Sequence, residues 1–169
     1  VNGEVTEYTD PYAFANVTKP EDYKSFLAGE EKNAAHIFGA HERTVNGVKG
    51  VLFNVWAPKA LSVSVVGEFN KYDGRVHLME KIEDTGVFEL FIPGLAAGCG
   101  YMYEIKRQGK GTTRKLDPVS RQISSVPITA SVVSDENMPD SYAWNDGLWM
   151  IKRKKEAGKK KPVTVYEVS

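Results

Sequence analysis

Short apolar runs, each bounded by glycine or proline punctuation, recur about every ten residues between Val51 and Val133, and this spacing constrains the fold more than any other feature. The runs cover 51–56, 61–66, 76–82, 87–92, 101–106, 112–116 and 128–133. Asp84-Thr85-Gly86, Pro93-Gly94, Gly98-Cys99-Gly100 and Gln108-Gly109-Lys110-Gly111 separate them, supplying the positive φ angles and proline stops of hairpin turns. No helical pattern alternates with the strands, so a doubly wound sheet is disfavoured and an all-β sandwich of immunoglobulin-like kind is expected. Leu61, Val63 and Val65 alternate with Ser62 and Ser64, the period-two signature of a strand with one buried face. The run 51–56 is apolar at nearly every position, as in a sandwich interior, and Ala57-Pro58 ends it because proline cannot donate to a ladder. Phe53, Trp56, Phe88 and Phe91 are therefore expected in the core.

The flanks read differently. Thr18-Lys19-Pro20-Glu21 has the proline and acids of a helix start, Tyr23, Phe26 and Leu27 share one helical face, and 33–38 gives a second short helical piece ending in Gly39-Ala40-His41. The organisation expected is a helical lead-in over 1–47, the sandwich over 48–135, a linker over 136–161 and a lone strand pattern over 162–169. Basic residues crowd 152–161 without an apolar face, as in a solvated linker.

Composition narrows the function classes. With 169 residues, 41% hydrophobic and 26% charged, the chain can bury one core. A net charge of zero gives no global attraction for nucleic acid or a membrane surface. The sequence has no apolar run long enough to cross a bilayer and no signal-peptide pattern, and its single cysteine, Cys99, cannot form an internal disulfide, so cytoplasmic residence is expected. Asn16-Val17-Thr18 matches a glycosylation sequon that such a location would leave unused.

The stretch VWAPKALSVSVVGEFNKYDG, running through Tyr72, resembles the front of the β-sandwich that precedes the catalytic barrel in glycogen branching enzymes, the isoamylase-like carbohydrate-binding modules of family 48. GVFELFIPG, YMYEI, LDP and TASVV follow in that family's order, the segment ending in Gly39-Ala40-His41 is similar to its helical lead-in, and Tyr166-Glu167-Val168 is similar to the first strand of its barrel. The chain departs from the usual pattern in having Tyr72 for tryptophan, Glu68 for aspartate, Met102 for a lysine and Ser169 for a histidine, and 108–115 carries no aromatic.

The resemblance implies a non-catalytic module of a 1,4-α-glucan branching enzyme, an alpha-amylase superfamily transferase, with an α-glucan and the catalytic barrel of the same parent chain as its partners. It implies Tyr72 as the stacking residue with Asn70 and Asp73 beside it, and Trp144 and Trp149 as the surface that docks the barrel. Lys106 and Arg114 are the candidate sugar contacts in place of the lysine and second aromatic that this chain lacks. A docking domain without sugar affinity, or the module of a debranching enzyme, are the alternatives. An α-glucan offers hydroxyl edges and apolar C–H faces, so an aromatic flanked by carboxylates, amides or cations matches its chemistry.

No catalytic set, metal site or cofactor motif stands out. Glu68 and Asp73 are carboxylates flanking an aromatic in one loop, which suits capping or hydroxyl contacts better than glycoside cleavage. Gly109-Lys110-Gly111-Thr112 lacks the spacing of a phosphate loop, since Glu104 stands where a glycine is needed. His36, His41 and His77 lack metal-ligand spacing, and His41 reads as a polar helix-end residue.

Overall fold

The computed structural model describes residues 9–14, 17–135, 144–158 and 164–168. The chain divides into two compact units, Val1–Glu136 and Asn137–Ser169. The first is the all-β sandwich expected, built from two antiparallel sheets.

One sheet has the order β1 (Gly39–Val45), β2 (Val48–Trp56), β5 (Val87–Pro93), β4 (Glu80–Ile82). The other has the order β3 (Ser62–Gly67), β6 (Gly100–Arg107), β9 (Ala130–Val132), β8 (Gln122–Ser124), with β7 (Gly111–Lys115) also paired to β6. Between them Val51, Phe53, Val55, Phe88 and Leu90 of the first sheet meet Val63, Val65, Tyr101 and Tyr103 of the second in one core. Beneath it Asp117 accepts from the Tyr101 hydroxyl at 2.6 Å and the Tyr103 hydroxyl at 3.2 Å, so the polar ends of two buried rings share one carboxylate.

Two strands go beyond the sequence reading. β1 forms where only the end of a helical piece was expected, and a two-residue turn, Asn46-Gly47, joins it to β2 with φ of 50° and 81°, the type I′ geometry that matches strand twist. His41 is accordingly a buried strand residue, its Nε2 3.0 Å from the Phe38 carbonyl, and not a helix-end residue. β8 is a short edge strand against β9. The expected strand over 76–82 is divided between the sheets. His77 and Met79 exchange backbone hydrogen bonds with Val65 and Val63 of β3, after which β4 pairs with β5. This segment crosses from one sheet to the other.

The lead-in covers the outer face of the first sheet in step with β2. Phe14 packs on Leu52 and Phe91, Thr18 and Tyr23 lie over Asn54 and Glu89, and Phe26 sets its ring edge-on to Trp56 at 5.4 Å. Leu52, Asn54 and Trp56 are alternate residues pointing to one face. Glu89 is buried and accepts from Thr18 N at 3.2 Å, the Thr18 hydroxyl at 2.5 Å and Asn54 Nδ2 at 2.9 Å. The cover ends at Phe26, which leaves Trp56 47% exposed and corrects its expected place in the core. Among the described residues, the helical lead-in reduces to 3-10 turns and one turn of helix, α1 (Lys24–Leu27). Thr18 does not cap it, because its hydroxyl is held by Glu89 and Tyr23.

The second unit contains α2 (Gly147–Glu156) within the stretch expected to be linker. Trp149 lies in this helix with the Arg153 guanidinium 5.3 Å from its ring centroid, and Trp144 precedes it; both indoles are exposed. Residues 164–168 have no regular secondary structure. Asn16 of the sequon, Tyr142, Lys159–161, and Pro162 and Val163 at the start of the expected terminal strand lie outside the described residues.

Candidate functional site

The site is built on the outward face of the second sheet. Along β6, Tyr101, Tyr103 and Ile105 turn into the core, so Met102, Glu104 and Lys106 face outward. β7 sets Arg114 opposite Glu104 and Thr112 opposite Lys106. After β3 a 3-10 turn, Glu68–Asn70, swings the chain over this face. Lys71 and Tyr72 then both adopt left-handed backbone, with φ of 55° and 58°. Such angles cost a side-chain-bearing residue energy and persist only where surrounding contacts hold them.

Tyr72 is partly buried over Val66, Met102 and Ala130. That placement covers a side of β3 expected to be wet, and Ser64 and Val66 are both buried. The Arg114 guanidinium carbon stands 5.9 Å from the Tyr72 ring centroid, its Nη2 donates to the Tyr72 carbonyl at 2.8 Å, and its Nε donates to Glu104 Oε2 at 3.0 Å. One cation thereby ties the loop to β6. Gly74 belongs to the same cluster, since a Cβ there would collide with Glu104 Oε1.

The expected site residues separate into two groups. Tyr72, Arg114 and Lys106 share the outer face, and Lys106 is exposed without an ion pair among the described residues. Asp73 lies next to Tyr72 but turns to Arg75, receiving Nε at 2.9 Å and Nη2 at 2.7 Å. The Arg75 side chain and backbone N–H hold its carboxyl down at about 2, so it is an anion at every physiological pH. Asn70 belongs to the fold: it is buried, its Oδ1 accepts from Gly67 N at 3.0 Å, and its Nδ2 lies 2.9 Å from both Val65 O and His77 Nδ1. Glu104 is the member that sequence reasoning missed. Its signal was its place on alternate positions with Met102 and Lys106.

A partly exposed ring with a guanidinium over it, a carboxylate bonded to that guanidinium and an exposed ammonium further along the same sheet face can stack on the C–H face of a sugar while exchanging hydrogen bonds with its hydroxyls. Among the described residues no three His, Cys, Asp or Glu side chains stand close enough to hold a metal ion, and no helix is long and apolar enough to cross a membrane.

Residues 37–120 match the carbohydrate-binding module 48 (isoamylase N-terminal domain) family. Over nearly its whole length the chain is similar to curated 1,4-alpha-glucan branching enzymes GlgB. It is 41% identical to that of Methylococcus capsulatus over 98% of this chain and 22% of the relative. For Thermosynechococcus vestitus the identity is 44% over 99% and 21%, and for Thiobacillus denitrificans 46% over 94% and 21%. The chain thus spans about a fifth of the length of the relatives it matches.

Proposed function

The chain belongs, through residues 37–120, to the carbohydrate-binding module 48 family, and from that premise we propose that it binds an α-glucan on the outer face of β6 and β7, with Tyr72 as the stacking platform. The observation that carries the reading is the Tyr72 ring, partly exposed on that face with the Arg114 guanidinium over it and Glu104 bonded to Arg114. Lys106, two residues from Glu104 on the same face, supplies a further donor. Asp73 and Asn70 act indirectly, by shaping the loop.

The whole protein, on this proposal, is a cytoplasmic 1,4-α-glucan branching enzyme. It cleaves an α-1,4 linkage, carries the glucan as a covalent glycosyl intermediate on a barrel outside these 169 residues, and transfers it to a 6-hydroxyl. The module raises the local concentration of glucan at that barrel by tethering. Trp144 and Trp149 are proposed as apolar contacts to the barrel.

A second reading, an orienting domain with little sugar affinity, is favoured by one observation: Met102 is buried beneath Tyr72 and the hairpin over 108–115 adds no second ring. Affinity electrophoresis through gels with and without glycogen separates the two. Retardation of the native chain, lost on Tyr72→Ala with an unchanged circular dichroism spectrum, is the result expected of the glucan binder; equal mobility of both proteins in both gels is the result expected of the orienting domain.

A further inference from the structure

The loop that carries Tyr72 is fixed by a hydrogen-bond arrangement that a neutral His77 completes and a protonated one cannot. Asn70 Oδ1 accepts from the Gly67 backbone N–H at 3.0 Å, which sets the orientation of the amide. Its Nδ2 therefore faces the Val65 carbonyl at 2.9 Å and His77 Nδ1 at 2.9 Å. The carbonyl can only accept, so one amide proton goes to it and the other to the ring nitrogen. Turning the amide over would set Oδ1 against the Val65 carbonyl and Nδ2 against the Gly67 N–H. His77 Nδ1 must then be an unprotonated acceptor, and a proton there would confront the amide N–H.

The surroundings offer a charged ring no compensation. His77 is buried, with the Phe69 ring 5.5 Å away. From the lead-in comes Tyr12, whose hydroxyl donates to Val76 O at 3.4 Å and accepts from Leu78 N at 2.9 Å, clamping the backbone on both sides of the histidine. Asp10 is directed to the Tyr12 amide. Lys49 of β2 lines the same cleft as His77, and that cleft carries no carboxylate. On the histidine's own segment Asp73 and Arg75 are paired with each other. Burial accordingly holds the imidazole below the ordinary histidine range.

We propose that His77 is a positioning residue for the glucan face: its neutral ring fixes the Asn70 amide, Asn70 fixes the loop over 67–73, and protonation of the ring releases the strained backbone that presents Tyr72. The inference rests on the glucan-binding reading above. If only the neutral form presents the ring, retention weakens by up to about tenfold for each pH unit below the titration point.

The test follows amide resonances and glycogen retention together, from about pH 7.5 to about pH 5, on the native chain and on His77→Gln, whose side-chain carbonyl can accept from Asn70 without titrating. In the native chain the Asn70 side-chain and Tyr72 backbone amides are expected to shift in step with the His77 ring protons and glycogen retention to fall with them. In His77→Gln both are expected to stay flat. Retention with amides that ignore the His77 titration overturns the inference alone, as does a His77→Gln profile that falls like the native one. Amides that titrate in a chain that glycogen retains at no pH overturn it through the binding reading on which it rests.

Discussion

Arg114 Nη2 donates to the Tyr72 carbonyl at 2.8 Å while its guanidinium carbon stands over the same residue's ring, 5.9 Å from the centroid, so one side chain contacts both the backbone and the ring of the proposed platform. Arg114→Ala removes both contacts and leaves Glu104 without its ion pair. The pair is partly exposed, Arg114 more than Glu104, so the cost in folding stability is expected to be about 1 kcal/mol. Glycogen retention should weaken severalfold. Chemical denaturation and affinity electrophoresis on the same preparation check the two halves.

Asn70→Ala should damage the fold far more than its loop position suggests. It strands the buried Val65 carbonyl, the Gly67 N–H and His77 Nδ1 at once. A destabilisation of about 2–4 kcal/mol is expected, read as a lower urea midpoint at unchanged slope.

Much of the fold was legible in the sequence because period and punctuation act locally. The runs at 51–56, 87–92 and 101–106 lie within β2, β5 and β6, the run at 61–66 overlaps all but the last residue of β3, and β2 ends two residues before Pro58. β1 was missed although Asn46-Gly47 is a strong hairpin signal, because Gly39-Ala40-His41 looked like the end of a helix. Trp56 was misplaced for a tertiary reason: its exposure depends on where the lead-in stops, and β2 alone carries no trace of that. The candidate site was partly legible. Tyr72 and Arg114, both candidate site residues in the sequence, come together across 42 residues, but Asn70 in sequence is a polar loop residue, and only the fold shows all of its hydrogen bonds turned inward.

The lead-in should behave as part of the sandwich. Glu89→Ala deletes the acceptor for Thr18 N, the Thr18 hydroxyl and Asn54 Nδ2, all on a buried face. A loss of about 2–4 kcal/mol is expected. Limited proteolysis should cut near Thr18 in the variant under conditions that leave the native chain intact.

Alkaline titration should separate the tyrosines. Burial, with Glu89 and Asp22 adding negative charge, pushes the Tyr23 hydroxyl up to about 12, and burial beside Asp117 pushes Tyr101 and Tyr103 well above the ordinary value. A phenol whose folded pKa exceeds its unfolded value of 10.0 contributes stability that is complete below pH 10.0 and is lost as pH rises through the folded pKa. Ultraviolet absorbance should show Tyr23, Tyr101 and Tyr103 ionising only on unfolding, in one cooperative step above pH 10.0.

The most direct measurement is a titration of the isotopically labelled chain with maltoheptaose, following every backbone amide and the arginine Nε–H groups. The glucan-binding account expects saturable shifts concentrated at Tyr72, Glu104, Lys106 and Arg114, abolished by Tyr72→Ala while the core resonances of Phe53 and Tyr103 stay in place. Shifts that cluster elsewhere on the sandwich, or a spectrum that does not respond to the sugar, would contradict it.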